Sequence, residues 1–236
     1  MDESRIEICS KLVRRESCKH ADRCKKGSTG LNDRQTGGTK VLGVAGSLRQ
    51  NSRSTHALKS LLDIATNKYG AQTQILDLRE TKLPLYNPTV GPGEPVDNNI
   101  QTASRVVKWA DALILASPDY HGSMSGAVKN FLDYFWEEFA GKTFGYLCTS
   151  HEKGLTVMDQ MRTAVRQCYG WSMPYGISVN GEQDFNTKGE IINVTLSRRL
   201  TMLARDLSVY GKLIREQFQK DLEDNDSYTF AARYRG

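Results

Sequence analysis

From Lys40 onward, short apolar runs alternate with stretches whose apolar residues recur every three or four positions. The runs are KVLGVAG (40–46), QTQILDL (72–78), DALILAS (111–117), KTFGYLCTS (142–150) and SMPYGISV (172–179). Each is the length of a strand, and apolar side chains on successive positions suit a strand buried on both faces. The helical stripes between them are Leu58, Leu61, Leu62 and Ala65 within 54–68, then Ala103, Val106, Val107 and Ala110. A third stripe places Ala127, Val128, Phe131, Leu132, Phe135 and Trp136 on one face of a helix over 126–138. Val157, Met158, Met161, Val165 and Cys168 mark a fourth, and Leu196, Leu200, Leu203 and Leu207 a last helix running on past Gly211. Strand and helix alternating five times predict a doubly wound α/β domain with a five-stranded parallel sheet in the order 2-1-3-4-5.

Two stretches break this rhythm. Residues 81–96 carry Pro84, Pro88, Pro92 and Pro95 and show no periodicity. A structureless loop that long inside a compact domain is often functional. Residues 1–39 are polar and end in GSTGLNDRQTGG, which is linker chemistry. They predict a flexible basic extension in front of a domain spanning 40–236. Charge supports the division: residues 1–40 hold ten basic and six acidic residues, and the rest hold 22 and 21. A nearly neutral domain argues against nucleic acid as the partner of the folded part.

No apolar run approaches a membrane span, and the leading MDESRIEICSKLVRRE has neither the apolar core of a signal peptide nor the acid-poor character of a transit peptide. Five cysteines without an export pattern imply reduced thiols and a cytoplasmic location. Cys9, Cys18 and Cys24 lie close together with His20 between them, but a zinc site needs a complete tetrahedral set and this spacing does not supply one. No metal is expected.

In an open α/β sheet, ligands bind beyond the carboxyl ends of the strands, where the strand order switches. The exit of the first strand is GSLRQNSRST, with Ser47, Arg49, Ser52, Arg53, Ser54 and Thr55 in nine positions before a helix. Hydroxyls, free backbone N–H groups and arginine at a helix N-terminus make a phosphate site. The plainer alternative is a capped helix with solvated arginines. Neither a P-loop nor a GxGxxG pattern is present. The exit of the third strand is SPDYHGSMSG, in which Tyr120 offers a flat ring and Gly122 lets backbone approach a ligand. The plainer alternative there is a turn before a helix capped by Ser123 or Ser125. The two loops flank the switch point, so a phosphorylated planar heterocycle fits between them.

GSLRQNSRS, LPLYNP and SPDYHGSMSGAVKNFLDY together resemble the NADPH-dependent FMN reductase family, of flavodoxin-like fold, and the likeness runs from about Lys40 to about Leu213. The resemblance implies FMN as cofactor and NADPH or NADH as co-substrate. It places Ser47, Arg49, Ser52, Ser54 and the adjacent Thr55 on the phosphate. It places Pro118, Asp119, Tyr120, His121, Gly122 and Ser123 along the isoalloxazine ring, with Ser150 as a further contact. Where relatives have a glycine-rich run after the fourth strand, this chain has SHEKG.

The flavin carries the hydride chemistry, so no catalytic side chain is required, although His121 is a candidate proton donor. Backbone N–H groups of residues 119–123 are expected on the pyrimidine end of the flavin, and Asp119 is expected to orient the loop. The resemblance also implies a homodimer or homotetramer and a small-molecule acceptor such as flavin, quinone, azo compound, metal ion or oxygen. The alternative function is a flavodoxin-type electron carrier served by a protein partner. Arg49 and the near-neutral domain favour the enzyme.

Overall fold

A computed structural model of the chain describes residues 37–89 and 97–235. Residues 1–36, with Cys9, Cys18, Cys24 and His20, and residues 90–96 lie outside the described residues. A compact unit begins at Gly37. Thr39 is already buried in it, with its hydroxyl on the carbonyl of Ser208.

The strands are β1 (Lys40–Ala45), β2 (Gln72–Asp77), β3 (Ala112–Pro118), β4 (Thr143–Thr149), β5 (Trp171–Ser172) and β6 (Ile177–Val179). The helices are α1 (Arg53–Tyr69), α2 (Asn98–Trp109), α3 (Gly126–Asp133), α4 (Leu155–Gln167) and α5 (Val194–Glu223), with 3-10 turns at Glu137–Phe139 and Phe230–Tyr234. Every strand pairing is parallel, and the order is β2-β1-β3-β4-β5, as the sequence pattern predicts.

The strands are apolar on successive positions because both faces are covered. Val41, Ala45, Ala112, Ile114 and Ala116 meet α1 and α5 in one core. Leu42, Val44, Leu113 and Leu115 meet α2, α3 and α4 in the other. Gly43 and Gly145 let the first pair of helices close in: a Cβ at Gly43 would lie 2.8 Å from Leu62, and one at Gly145 would lie 2.9 Å from Leu207.

Two predicted elements are corrected. The fifth strand over 172–179 is split into β5 and β6, both paired to β4. Met173 still donates to Phe144 O at 2.8 Å, but Pro174 has no N–H to continue the ladder. The helix over 126–138 ends at Asp133, where the last turn tightens: Tyr134 N and Phe135 N donate to Phe131 O and Leu132 O, three residues back. Phe135 stays in the core, but Trp136 leaves the stripe and is 61% exposed.

Candidate active site

β1 runs into a loop whose first residue must be glycine. Gly46 N donates to Ala116 O, and a Cβ on Gly46 would come 2.0 Å from Val128 Cγ2. Ser47 behind it is buried, and its Oγ accepts from Arg49 N at 3.3 Å. Ser52 is the N-cap residue of α1, yet its side chain caps nothing; its Oγ lies 2.8 Å from Ser54 Oγ. No acidic residue stands in the first turn. The N–H groups of Arg53, Ser54 and Thr55 make no hydrogen bond among the described residues. A 17-residue helix therefore points three unspent donors and the positive end of its dipole at this loop. α2, by contrast, is capped by Asp97, whose carboxylate accepts from Asn99 N.

The β3 exit is a tight hairpin. Tyr120 and Ser123 exchange backbone hydrogen bonds at 3.0 and 3.1 Å. His121 and Gly122 between them have φ of 57° and 76°. Positive φ at both central positions is a type I′ turn, which Gly122 adopts freely and His121 does not. Asp119 holds the turn in place: Oδ1 accepts from Gly122 N and Oδ2 from Ser150 Oγ, both at 2.8 Å. That is the orienting role expected of Asp119.

Gln160, on α4, holds the other side of the turn. Its Oε1 accepts from Ser123 Oγ at 2.8 Å and Met124 N at 3.3 Å, and its Nε2 donates to Gly122 O at 3.2 Å. The loop amides expected to face a ligand are mostly spent within the protein: Asp119 N on Thr149 O, Tyr120 N on Ser123 O, Ser123 N on Tyr120 O and Gly122 N on Asp119 Oδ1. Among residues 119–123, only His121 N–H is left without a partner in the described residues. The Ser123 hydroxyl is spent on Gln160, and Ser123 is not among the residues lining the cavity described below.

β4 ends at Thr149, whose Oγ1 is buried without a hydrogen-bond partner among the described residues. Beyond it, Ser150 Oγ also accepts from Glu152 N, and Asn180 Nδ2 reaches His151 O. Beneath this end, burial pushes the Cys148 thiol up to about 12, and the Asp119 charge adds to the effect. Cys148 stays a neutral thiol and takes no nucleophilic part.

These three exits enclose a cavity of about 750 Å³. Arg49, Pro118, Asp119, Tyr120, His121 and Gly122 line it together with Ser150. The Arg49 guanidinium carbon stands 5.8 Å from the Tyr120 ring centre, so the β1 exit loop and the β3 exit hairpin share one cleft. Arg53 also reaches it, although its guanidinium packs over Phe185 at 5.1 Å. Ser47, Ser52, Ser54 and Thr55 are buried around the start of α1 and are not among the residues that line this cavity.

A family profile described as NADPH-dependent FMN reductase matches residues 39–184, more than half of the chain. The chain belongs to that family. It is 28% identical over 148 residues to an NADPH azoreductase of Bacillus sp. (strain OY1-2), covering 60% of this chain and 77% of that protein. It is 31% identical over 154 residues to an FMN-dependent NADPH-azoreductase of Staphylococcus saprophyticus, covering 62% and 79%. The solved structure of FerB, a flavoenzyme NAD(P)H:(acceptor) oxidoreductase from Paracoccus denitrificans, superposes with a TM-score of 0.61 at 18% identity, over 74% of this chain and 98% of that one. That likeness shows the flavodoxin-like fold.

As a member of the FMN reductase family, the chain is an enzyme, an FMN-dependent NAD(P)H oxidoreductase that reduces a small-molecule acceptor, and the electron-carrier alternative falls. Sequence reasoning missed Gln160, Thr149 and the loop from Gly181 to Asp184. A single Gln on an amphipathic helix carries no signal. The loop does: NGEQDFN is dense in turn residues, and buried Asp184 accepts from Asn180 N and Asn193 Nδ2 to fold it against the cleft.

Proposed function

We propose that the cleft holds FMN with its phosphate at the α1 entrance and its ring along the Pro118–Ser123 hairpin, open on one side to NAD(P)H and then to a planar organic acceptor. One observation carries the placement. The amides of Arg53, Ser54 and Thr55 are unspent at the end of a long helix whose own cap residue leaves them open. The donor set fits a phosphate: three N–H groups, the hydroxyls of Ser47, Ser52 and Ser54, and Arg49 as the one flexible cation. The orphaned Thr149 Oγ1 fits a polar edge of the ring.

When bound there, FMN supplies the redox chemistry, taking hydride from NAD(P)H and passing electrons to the acceptor. The chain's residues bind and orient. Arg49 joins the phosphate end to the Tyr120 ring, which forms a flat wall for the heterocycle. His121 N–H is the remaining amide donor of the hairpin and faces the ring edge. The His121 and His151 side chains, both exposed, stand at the mouth where an acceptor enters. The acceptor we favour is a quinone or azo compound, since such planar molecules fit a slot with flat walls.

We further propose a cytoplasmic homo-oligomer. The described cysteines, Cys148 and Cys168, are free thiols. Leu48, Leu85 and Tyr86 are exposed together beside the cleft. No described helix is long and apolar enough to cross a membrane.

The deciding experiment adds NADPH or NADH anaerobically to the FMN-loaded protein and follows the flavin band near its visible maximum. Bleaching followed by recovery on addition of a quinone or azo dye is the expected result. A band unmoved by either nucleotide sinks the proposal.

A further inference from the structure

A second pocket lies at the other end of the fifth strand, in no part of the chemistry above. It has a volume of about 570 Å³, well within the range of small-molecule sites. Trp171 sits in register with Thr143 at the start of β4, whereas the cofactor cleft opens at Thr149 and Ser150 beyond its end. Six residues of strand separate the two, about 20 Å at 3.3 Å each.

Its walls have two kinds of chemistry. Tyr169, Trp171 and Phe230 are rings exposed to 38, 58 and 41%, which is unusual for residues that gain so much by burial. Arg162 and Arg166 face the same space, and no carboxylate lines it. Arg162 Nη1 reaches out to Asp159, 2.7 Å away, whose own side chain is 71% exposed. The Arg162 side chain itself is only 16% exposed, and its guanidinium carbon lies over the Tyr146 ring at 5.3 Å, so Arg162 is held in place and Arg166 is the more available of the two cations. Arg162 Nε is buried with no partner among the described residues. Arg166 spends Nε on Arg162 O.

The walls are fixed in advance. Phe230 packs against Tyr169 at 5.2 Å and Tyr234 at 5.6 Å, and the Arg235 guanidinium holds the turn through Asp221 O and Thr229 Oγ1. Pre-formed walls reduce the ordering that binding requires. Phe230 lies outside the segment 39–184 that the family profile matches, whereas the other lining residues lie within it.

We propose that this pocket is a second binding site, for a planar aromatic anion whose ring lies among Trp171, Tyr169 and Phe230 and whose carboxylate or sulfonate meets Arg166 and Arg162. A cationic ligand is repelled by the Arg166 guanidinium, which has no ion pair among the described residues. A neutral aromatic leaves the Arg166 charge unused. An aromatic anion satisfies rings and cations together, through stacking and charge-assisted hydrogen bonds.

The test uses the full-length, FMN-loaded protein and naphthalene-2-sulfonate as probe, titrated by calorimetry. One site is expected. Arg166→Ala and Phe230→Ala should each weaken it about tenfold or more, the loss expected from a charged hydrogen bond or a buried ring contact. Arg166→Lys should retain part of the affinity, and uncharged 2-naphthalenemethanol should bind at least tenfold more weakly. Flavin content and bleaching by NADPH should be unchanged in all three variants. Affinity equal to that of the wild type in Arg166→Ala and Phe230→Ala overturns the proposal. So does displacement of the sulfonate by NADPH, which places the probe in the cofactor cleft. Absence of binding, with light scattering showing a second copy that shields Trp171, overturns it as well.

Discussion

Arg49 is the residue on which the two halves of the cleft depend. It leaves the phosphate loop from an exposed position, its own N–H is tied to Ser47 Oγ, and its guanidinium approaches Tyr120. A charged hydrogen bond to phosphate contributes about 1.5–3 kcal/mol. Arg49→Ala should therefore raise the Kd for FMN by about tenfold or more, measured by quenching of flavin fluorescence, while leaving Tm of the apoprotein unchanged. An unaltered Kd removes Arg49 from the phosphate site. Arg49 and Tyr120 were legible as candidates because an arginine among dense hydroxyls and a Pro-Asp-Tyr turn are unusual compositions at strand exits, and both line the cleft. Gln160 was not, because its importance lies in what it touches. Ser123 was legible as a polar loop residue but not in its direction, since a hairpin with two positive φ values turns it toward α4.

Among the elements, α2 ends on an uncommon cap. Lys142, buried at the start of β4, donates from Nζ to the carbonyls of Val107, Lys108 and Ala110. It satisfies the C-terminal carbonyls of α2 and adds a cation at the negative end of its dipole. Desolvation lowers the Lys142 pKa to about 7, with Arg215 adding to the fall and Asp111 opposing it. An unfolded lysine titrates near 10.4. Between these values the unfolded chain binds one proton more than the folded one, so stability rises with pH from about 7 towards 10. Urea denaturation of the wild type against Lys142→Met should show this slope only in the wild type. Parallel pH profiles contradict the assignment. The strands and their order were readable from the continuous apolar runs, because burial on both faces leaves no alternation to confuse. The end of α3 was not readable. Its periodicity continues to Trp136, but Tyr134 OH donates to Pro84 O and Asn130 brackets the same loop, so a tertiary anchor ends the helix before the pattern does.

At the scale of the whole molecule, residues 1–36 carry nine basic and six acidic residues, and the compact unit from Gly37 onward carries 23 and 21. If residues 1–36 are an extension, their deletion should leave kcat/KM for NADPH and the mass by light scattering unchanged. A fall in either makes the segment part of the working enzyme. Inside the fold, the hydroxyl of Ser125 joins three parts at once. It donates to Gly46 O at 2.7 Å and accepts from Val128 N at 3.2 Å, while Ser125 N donates to Ser117 Oγ. The exits of β1 and β3 are thus fastened to one buried point, and the gap between them is set by the core and not by its guest. On the proposed placement of the flavin, its loading is then a docking event and not a folding one, since the slot stands before its guest arrives.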